Sequence, residues 1–278
     1  HEVDTLFLND EDYDSCLKIC IEHIEKMDPE YVGLQIITHN RVCSYQIIEY
    51  LAENMPLRKV VLGGIHASFM YEQLLKKYPN VVVVVGEGEV TLSELLEQKP
   101  LQDILGIAYC CDGEIIKNGE RPLIENLDIL PFPKHEIFMT PDRDTVSIQT
   151  TRGCPFNCTF CCLDIVSRRK IRYRSISSVI EEIEYLIRTY KIKRVWIHDD
   201  SFFLDNKRVV EFCNEIEKRN IKINFTCSGR LKPLSHEMLS AMVRVGFDHI
   251  LFGLESGAEQ ILETCKKGIT NDDAISAY

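Results

Sequence analysis

Along the first hundred residues, short apolar runs alternate with stretches whose apolar positions recur every three or four residues. Val3–Leu8 reads as a strand. From Asp12 to Met27, the positions Cys16, Leu17, Cys20, Ile21 and Ile24 mark one face of a helix. "YVGLQII" (31–37) is a strand and "SYQIIEYLAENM" (44–55) a helix. "KVVLGG" (59–64) is a strand, "YEQLLKKY" (71–78) a helix, and "VVVVVGEGE" (81–89) a strand and turn. A last helix opens at Thr91, where Thr91 and Glu94 have the spacing of a capping box. Strands alternating with helices predict a parallel sheet covered on both faces. Residues 1–99 therefore read as a Rossmann-like open α/β domain. Because the chain starts with His1 in strand-like sequence, this domain is expected to be incomplete at its N-terminus.

The pattern changes at residue 100. Asp112-Gly113 and Asn118-Gly119 are hairpin-turn signals, and prolines punctuate "LDILPFPKHEIF" (127–138), so 100–144 reads as a hairpin and Pro-rich linker. Cys110 and Cys111 fall here and read as structural. From Thr145 the alternation resumes. Strands are expected at 145–151, 194–200, 223–229 and 249–257. Helices are expected at 178–190, capped by Ser178 and Glu181, then at 207–219 and 236–246. Repeated βα units without reversal predict a partial TIM-like barrel over 145–278, its first four units. Its fourth strand would be an edge at the chain's end, so a truncation is expected there too.

Composition narrows the functions available. With 45% hydrophobic and 27% charged residues the chain can bury a core. The net charge, 32 − 43 = −11, argues against a general nucleic-acid binder. One basic run, "SRRKIRYRS" (167–175), stands out; a solvated loop is the plain reading and an anion contact the sharper one. The sequence shows neither a membrane-spanning run nor a signal peptide. Twelve cysteines without a secretory signal point to a reducing, cytoplasmic setting, where clustered thiols bind metal.

Four of those cysteines lie in "TTRGCPFNCTFCCLD" (150–164), and Cys154, Cys158 and Cys161 have C-x3-C-x2-C spacing. Thiolates hold iron–sulfur clusters, and four complete the set for a four-iron cluster. Three leave one iron open to an outside ligand, the logic of a catalytic metal site. A structural zinc would want a fourth ligand nearby; Cys162, adjacent to Cys161, is expected to point elsewhere. The loop follows the first barrel strand, where βα loops build active sites. Asp199 and Asp200, Ser228 and Arg230, and Glu255 and Ser256 end the next three strands at the same mouth. Asp200 or Ser201 could instead be a helix cap.

"TRGCPFNCTFC" resembles the signature of radical S-adenosylmethionine (SAM) enzymes. "YRSISSVIEEIEYL", "RVWIHDDSFFLDNKRVVEFC" and "FGLESGAEQILETCKKGIT" are similar to the subgroup with an N-terminal cobalamin-binding domain, as are "VVLGGIHASFMYEQLL" and "VVVVVGEGEVTLSELLE". The resemblance implies that Cys154, Cys158 and Cys161 hold a 4Fe–4S cluster whose fourth iron is chelated by SAM. Reductive cleavage of SAM would give methionine and a 5′-deoxyadenosyl radical. Phe160 matches the aromatic position near the adenine. Asp199, Asp200, Ser228, Arg230, Glu255 and Ser256 would be further SAM contacts. Cobalamin would meet Thr38, His39, Gly63, Gly64, Gly86, Glu87, Gly88 and Glu89. Those glycines also suit tight turns in any doubly wound sheet. The D-x-H-x-x-G loop that puts a histidine on cobalt does not occur here, and His66 reads as a packed or solvated residue. Methylation of an unactivated carbon is the implied reaction, on a small-molecule or peptide substrate, with an electron donor such as flavodoxin or ferredoxin. The alternatives are a rearrangement or cyclisation, a tRNA methylthiotransferase, or a non-catalytic iron–sulfur carrier or sensor.

Overall fold

The structure, a computed structural model, describes residues 2–8, 12–140 and 142–277 and forms two compact units, residues 1–123 and 124–278. In the first unit, α1 (Tyr13–Met27) is followed by β1 (Tyr31–Gln35), α2 (Arg41–Asn54), β2 (Lys59–Gly63), α3 (Ile65–Lys77), β3 (Val81–Val84) and α4 (Glu89–Leu96). β1, β2 and β3 pair in parallel, in that order. Alternate strand residues feed two cores. Val32, Val60, Leu62, Val81 and Val83 pack with Ile47, Leu51, Leu74 and Leu75 of α2 and α3. Val61 and Val84 turn to the other face, against Leu95 of α4. Burial of both faces explains why these strands read as unbroken apolar runs.

Three expectations change here. Val3–Leu8 is not a strand: it pairs with no ladder, and Val3 and Phe7 stay exposed despite their strand propensity. The hairpin expected within the linker, β4 (Ile107–Cys111) and β5 (Glu114–Lys117), is part of the first sheet, because β4 pairs antiparallel with β3. Asp112 and Gly113 turn it with φ of 50° and 83°, the left-handed pair that a two-residue hairpin needs. The compact unit therefore runs to residue 123. Thr91 does not cap α4 either: it lies inside the helix, where its hydroxyl donates to the Leu105 carbonyl.

The second unit opens with the proline-rich segment, which is fastened to the fold. After it come β6 (Thr145–Ile148), β7 (Thr151–Arg152), α5 (Asp164–Ser167), β8 (Arg172–Tyr173), α6 (Ile176–Tyr190), β9 (Arg194–Ile197), α7 (Asn206–Lys218), β10 (Asn224–Gly229), α8 (His236–Arg244), β11 (Phe247–Phe252), α9 (Glu259–Thr264) and α10 (Asn271–Ala277). β6, β9, β10 and β11 form a parallel sheet in chain order. That is the stepwise βα winding expected of the start of a barrel. Val179, Ile183 and Leu186 of α6 and Val209, Phe212 and Ile216 of α7 cover one face, over Val146, Val195 and Phe225. The other face leaves Ser147, Trp196 and Leu251 exposed. Ser175, not Ser178, caps α6: its side chain accepts from the Ser178 N–H, while Asp128 accepts from the Ser175 N–H.

The proline-rich segment is held by a buried charge cluster. His135 Nε2 meets Glu182 Oε1 at 2.7 Å, and Arg174 Nη1 donates to the other Glu182 oxygen. Burial pushes the Glu182 carboxyl up, but the His135 bond and the Arg174 charge outweigh it and leave it below its ordinary value of 4.5. Glu182 thus adds stability that is fully present above pH 4.5 and is lost as pH falls through its lower folded value. Glu182→Gln, which leaves Arg174 without a counter-charge, should lower unfolding stability at neutral pH by about 3 kcal/mol. Denaturant midpoints measured against pH should show the gap to wild type narrowing on acidification below 4.5. A gap that is constant with pH would contradict the assignment.

Candidate functional site

The cysteine loop leaves β6 and is tied to the ends of the neighbouring strands. Asp199, just past β9, is 4% exposed. Its Oδ1 accepts from the N–H groups of Thr150 (2.6 Å) and Thr151 (3.0 Å), and its Oδ2 from the Thr150 hydroxyl (2.5 Å). Burial raises its carboxyl above the ordinary range, against the pull of those donors. Asp200 Oδ2 accepts from the Gly153 N–H at 2.8 Å. Gly153 has φ of 94°, and a Cβ there would strike the Lys170 carbonyl oxygen, so the chain can enter the loop only through glycine. Both Asp199 oxygens are engaged in this junction. It holds the loop in place.

Past β10, Arg230 is buried with its guanidinium 3.7 Å from the Phe156 ring centre. Its Nη1 donates to Cys158 Sγ at 3.4 Å, and its Nε is buried without a hydrogen-bond partner. Gly229 precedes it because the Phe203 ring fills the space a Cβ would need. The Ser228 hydroxyl donates to the Asp199 carbonyl at 3.4 Å. Past β11, the Thr159 N–H donates to the Cys265 carbonyl at 3.0 Å, clipping the loop to the segment after α9. Glu255 is paired with Lys267, and Ser256 Oγ accepts from the Ala258 N–H at the start of α9. Phe160 is exposed. Within the basic run, Arg172 is buried with a bond to the Ile124 carbonyl and Arg174 belongs to the Glu182 cluster, while Arg168, Arg169 and Lys170 are exposed.

Cys154 and Cys158 are half-buried, while Cys161 and Cys162 are exposed. Among the described residues, no group of three His, Cys, Asp or Glu converges on a single-ion site. A four-iron cluster asks for a different arrangement, since each thiolate takes its own iron. Three thiols on one glycine-entered loop, fixed to the neighbouring strand ends with a buried cation against one sulfur, fit such a cluster. Burial raises the Cys154 thiol, and bound iron would hold it as thiolate.

In the first unit, the loops after β1, β2 and β3 lie at one edge of the parallel sheet, the edge where open α/β sheets bind ligands. Gly64, at φ 90°, brings this edge close to the backbone: a Cβ would lie 2.6 Å from the Ile36 carbonyl oxygen. Buried Ser68 accepts from the Gly86 N–H at 3.0 Å and fixes the third loop. Gly88 precedes α4, and Glu89 is its first residue. Thr38 and His39 are exposed at the first loop. His66 has partners at both ring nitrogens, Thr38 Oγ1 at 3.1 Å and the Tyr45 hydroxyl at 2.9 Å. Both ring nitrogens are thus engaged within the first unit. Glycine-lined loops at this edge fit a large planar cofactor approached by backbone. Arg230's contact with a sulfur, Lys267 and Tyr45 were not legible in the sequence. Lys267 stands in "CKKGIT" (265–270), but nothing in its spacing shows that it is buried.

Residues 148–278 match the radical SAM superfamily, and residues 1–96 match the B12 binding domain. The chain belongs to the radical SAM proteins that carry a B12-binding domain. An uncharacterised methyltransferase of Pyrococcus horikoshii is 34% identical over 91% of this chain and 58% of its own length. The anaerobic magnesium-protoporphyrin IX monomethyl ester cyclase of Rubrivivax gelatinosus is 29% identical over 90% of this chain and 48% of its own. The chain thus spans about half the length of these relatives. The structure of OxsB, a cobalamin-dependent SAM radical enzyme, shares the fold with a TM-score of 0.78 at 24% identity, over 94% of this chain and 40% of that one. The cofactors of the two domains are a 4Fe–4S cluster with SAM, and cobalamin. Among the described residues, no helix is long and apolar enough to cross a membrane.

Asp199→Ala would strand three buried donors on Thr150 and Thr151, at about 1–3 kcal/mol each. Thermal unfolding and iron retention after anaerobic reconstitution test it. Both should fall, and a variant that keeps wild-type stability and iron would show that the junction is dispensable.

Proposed function

We propose that this protein cleaves SAM reductively at a 4Fe–4S cluster held by Cys154, Cys158 and Cys161, and uses cobalamin to methylate an unactivated carbon of a small-molecule or peptide substrate. The observation that carries this reading is the three-thiol loop fixed at the mouth of a parallel βα sheet, in a chain whose other unit is a B12-binding domain. Bound there, the cluster would supply an electron to SAM and cobalamin a methyl carrier. This chain's residues would do the rest. Asp199, Asp200 and Gly153 set the loop, and Arg230 donates a charged N–H to the Cys158 sulfur. Phe160, Asp199, Asp200, Ser228, Arg230, Glu255 and Ser256 would be the SAM contacts. In the first unit, Thr38, His39, Gly63, Gly64, Gly86, Glu87, Gly88 and Glu89 would face the corrin, with no histidine on cobalt. An external reductant of the flavodoxin or ferredoxin kind would supply the electron.

One relative is named a cyclase, and this favours ring formation as the second reading. Products separate the two. Methylation by SAM leaves S-adenosylhomocysteine among its products, whereas ring closure without methyl transfer does not.

Reconstituted full-length protein should carry about four irons per chain. Cys154→Ala, Cys158→Ala or Cys161→Ala should each abolish the iron–sulfur absorbance, and Cys162→Ala should leave it. Loss with Cys162→Ala but not with Cys161→Ala would contradict the ligand assignment. Arg230→Gln should shift the cluster's reduction potential in the negative direction, because a charged N–H to a ligating sulfur favours the reduced form. An unchanged potential would remove Arg230 from that role. The protein should also retain stoichiometric cobalamin through gel filtration, and cobalt-free protein would exclude cobalamin-dependent methylation.

A further inference from the structure

The exposed part of the basic run lies on the same closed loop as the cysteines. β7 pairs antiparallel with β8, so residues 153–171 leave and return at one place. That loop carries Cys154, Cys158 and Cys161, then α5, then Arg168, Arg169 and Lys170. The basic turn packs back on the loop's entrance. A Cβ at Gly153, one residue before Cys154, would strike the Lys170 carbonyl oxygen and lie 2.9 Å from Ser167 Cβ. Backbone bonds fix the turn: the Arg168 N–H donates to the Asp164 carbonyl at 2.7 Å, and the Lys170 N–H to the Ser167 carbonyl at 2.9 Å. Arg168 and Arg169 sit at φ of 50° and 57°, two successive left-handed residues. Glycine or asparagine would make the same turn with less strain, so the long cationic side chains point to a use of their own.

All three side chains are exposed. Arg169 meets Asp164 at 3.4 Å and Lys170 meets Glu125 at 3.8 Å, both long pairs at the surface. Such pairs contribute little, so an incoming carboxylate can replace either partner readily. Exposed, separately paired cations suit a broad acidic surface rather than one enclosed anion. The chain as a whole carries a net charge of −11, so this turn is a local exception. An acidic macromolecule is repelled elsewhere and drawn here, and charge of this kind sets where a partner docks and how fast. A one-electron donor needs that behaviour. It must come close to the cluster, deliver its electron and leave, and such encounters use small interfaces. We propose that Arg168, Arg169 and Lys170 form the docking site for an acidic electron-donor protein of the flavodoxin kind, on the cluster's own loop. At each encounter the donor is oxidised by one electron and the cluster reduced by one, with no bond made or broken and no proton passed between them. This site rests on the SAM-cleaving reading, in which an external reductant supplies the electron.

The test compares reconstituted full-length wild type with Arg168→Gln/Arg169→Gln/Lys170→Gln. A control of equal charge change is Lys191→Gln/Lys193→Gln/Lys222→Gln, whose exposed lysines precede β9 and β10 at the opposite end of the sheet from the cysteine loop. The probe is a purified acidic flavodoxin. Calorimetry reads its affinity with the flavin oxidised, and stopped-flow absorbance reads its rate of cluster reduction with the flavin reduced. Loss of the three charges should weaken binding at low salt about tenfold and slow reduction by a similar factor, with iron content unchanged. Added salt should bring wild type down toward the variant, because screening removes what the charges contribute. The control should behave as wild type. Reduced methyl viologen, a small cation, should reduce the variant no more slowly than wild type. Arg169→Gln and Lys170→Gln, made singly, should each show part of the loss, so the outcome does not hang on the folding of the triple variant. Wild-type flavodoxin affinity in the triple variant, equal losses in the control, or salt-independent binding by wild type would each overturn the proposal. So would a variant that loses binding to single-stranded RNA in place of flavodoxin. A viologen-reduced wild type that leaves added SAM intact would instead sink the SAM-cleaving reading itself.

Discussion

A buried carboxylate, Asp199, is the joint on which the second unit turns. It gathers two backbone N–H groups and a hydroxyl from the first residues after β6, and so fixes where the cysteine loop begins. Asp200 repeats the device one residue on, at Gly153. Donors and acceptor are both buried, so neither side can exchange its partner for water at low cost. The loop is therefore held to β9 with little freedom, and its cysteines inherit that fixity. Arg230 and the Cys265 carbonyl fasten the remaining length. A ligand loop set in this way can present three thiols without a fourth and keep the open coordination position in one place.

Much of this architecture was legible in the sequence because it is written in periodicity. The alternation of apolar runs with helical stretches located the strands and helices of both units, and strands buried on both faces gave away the parallel sheet. The turn at Asp112-Gly113 was legible from backbone chemistry alone. Misreadings arose where local signals compete with tertiary context. Thr91 has a capping spacing, yet its hydroxyl is used against Leu105 and Arg121 inside a helix that starts earlier. Val3–Leu8 has strand propensity but no ladder. The hairpin was assigned to a linker because sequence shows that a hairpin forms but not which edge it joins; β3 offers the edge.

The site was legible in its chemistry and not in its division of labour. Cysteine spacing named the loop, and strand-end polar residues named its surroundings. Which of those residues hold the scaffold and which face the opening depends on burial, and spacing carries no information about burial. Asp199 and Asp200 are neighbours in sequence, yet the first is 4% exposed and takes three donors while the second accepts from the loop at Gly153. Lys267 looks like a surface residue next to Lys266 and is not one. In the first unit, His66 read as a packed or solvated residue, and its two ring hydrogen bonds give it a local structural task.

The proposed chemistry stands or falls on whether the three-thiol loop leaves one iron for SAM to ligate directly. Electron–nuclear double resonance on the reduced, reconstituted protein, with SAM isotope-labelled in its amino and carboxylate groups, reads that bond. Hyperfine coupling from both labels to the cluster spin is the expected result. A cluster that forms with full iron content but shows no coupling from either label would contradict it.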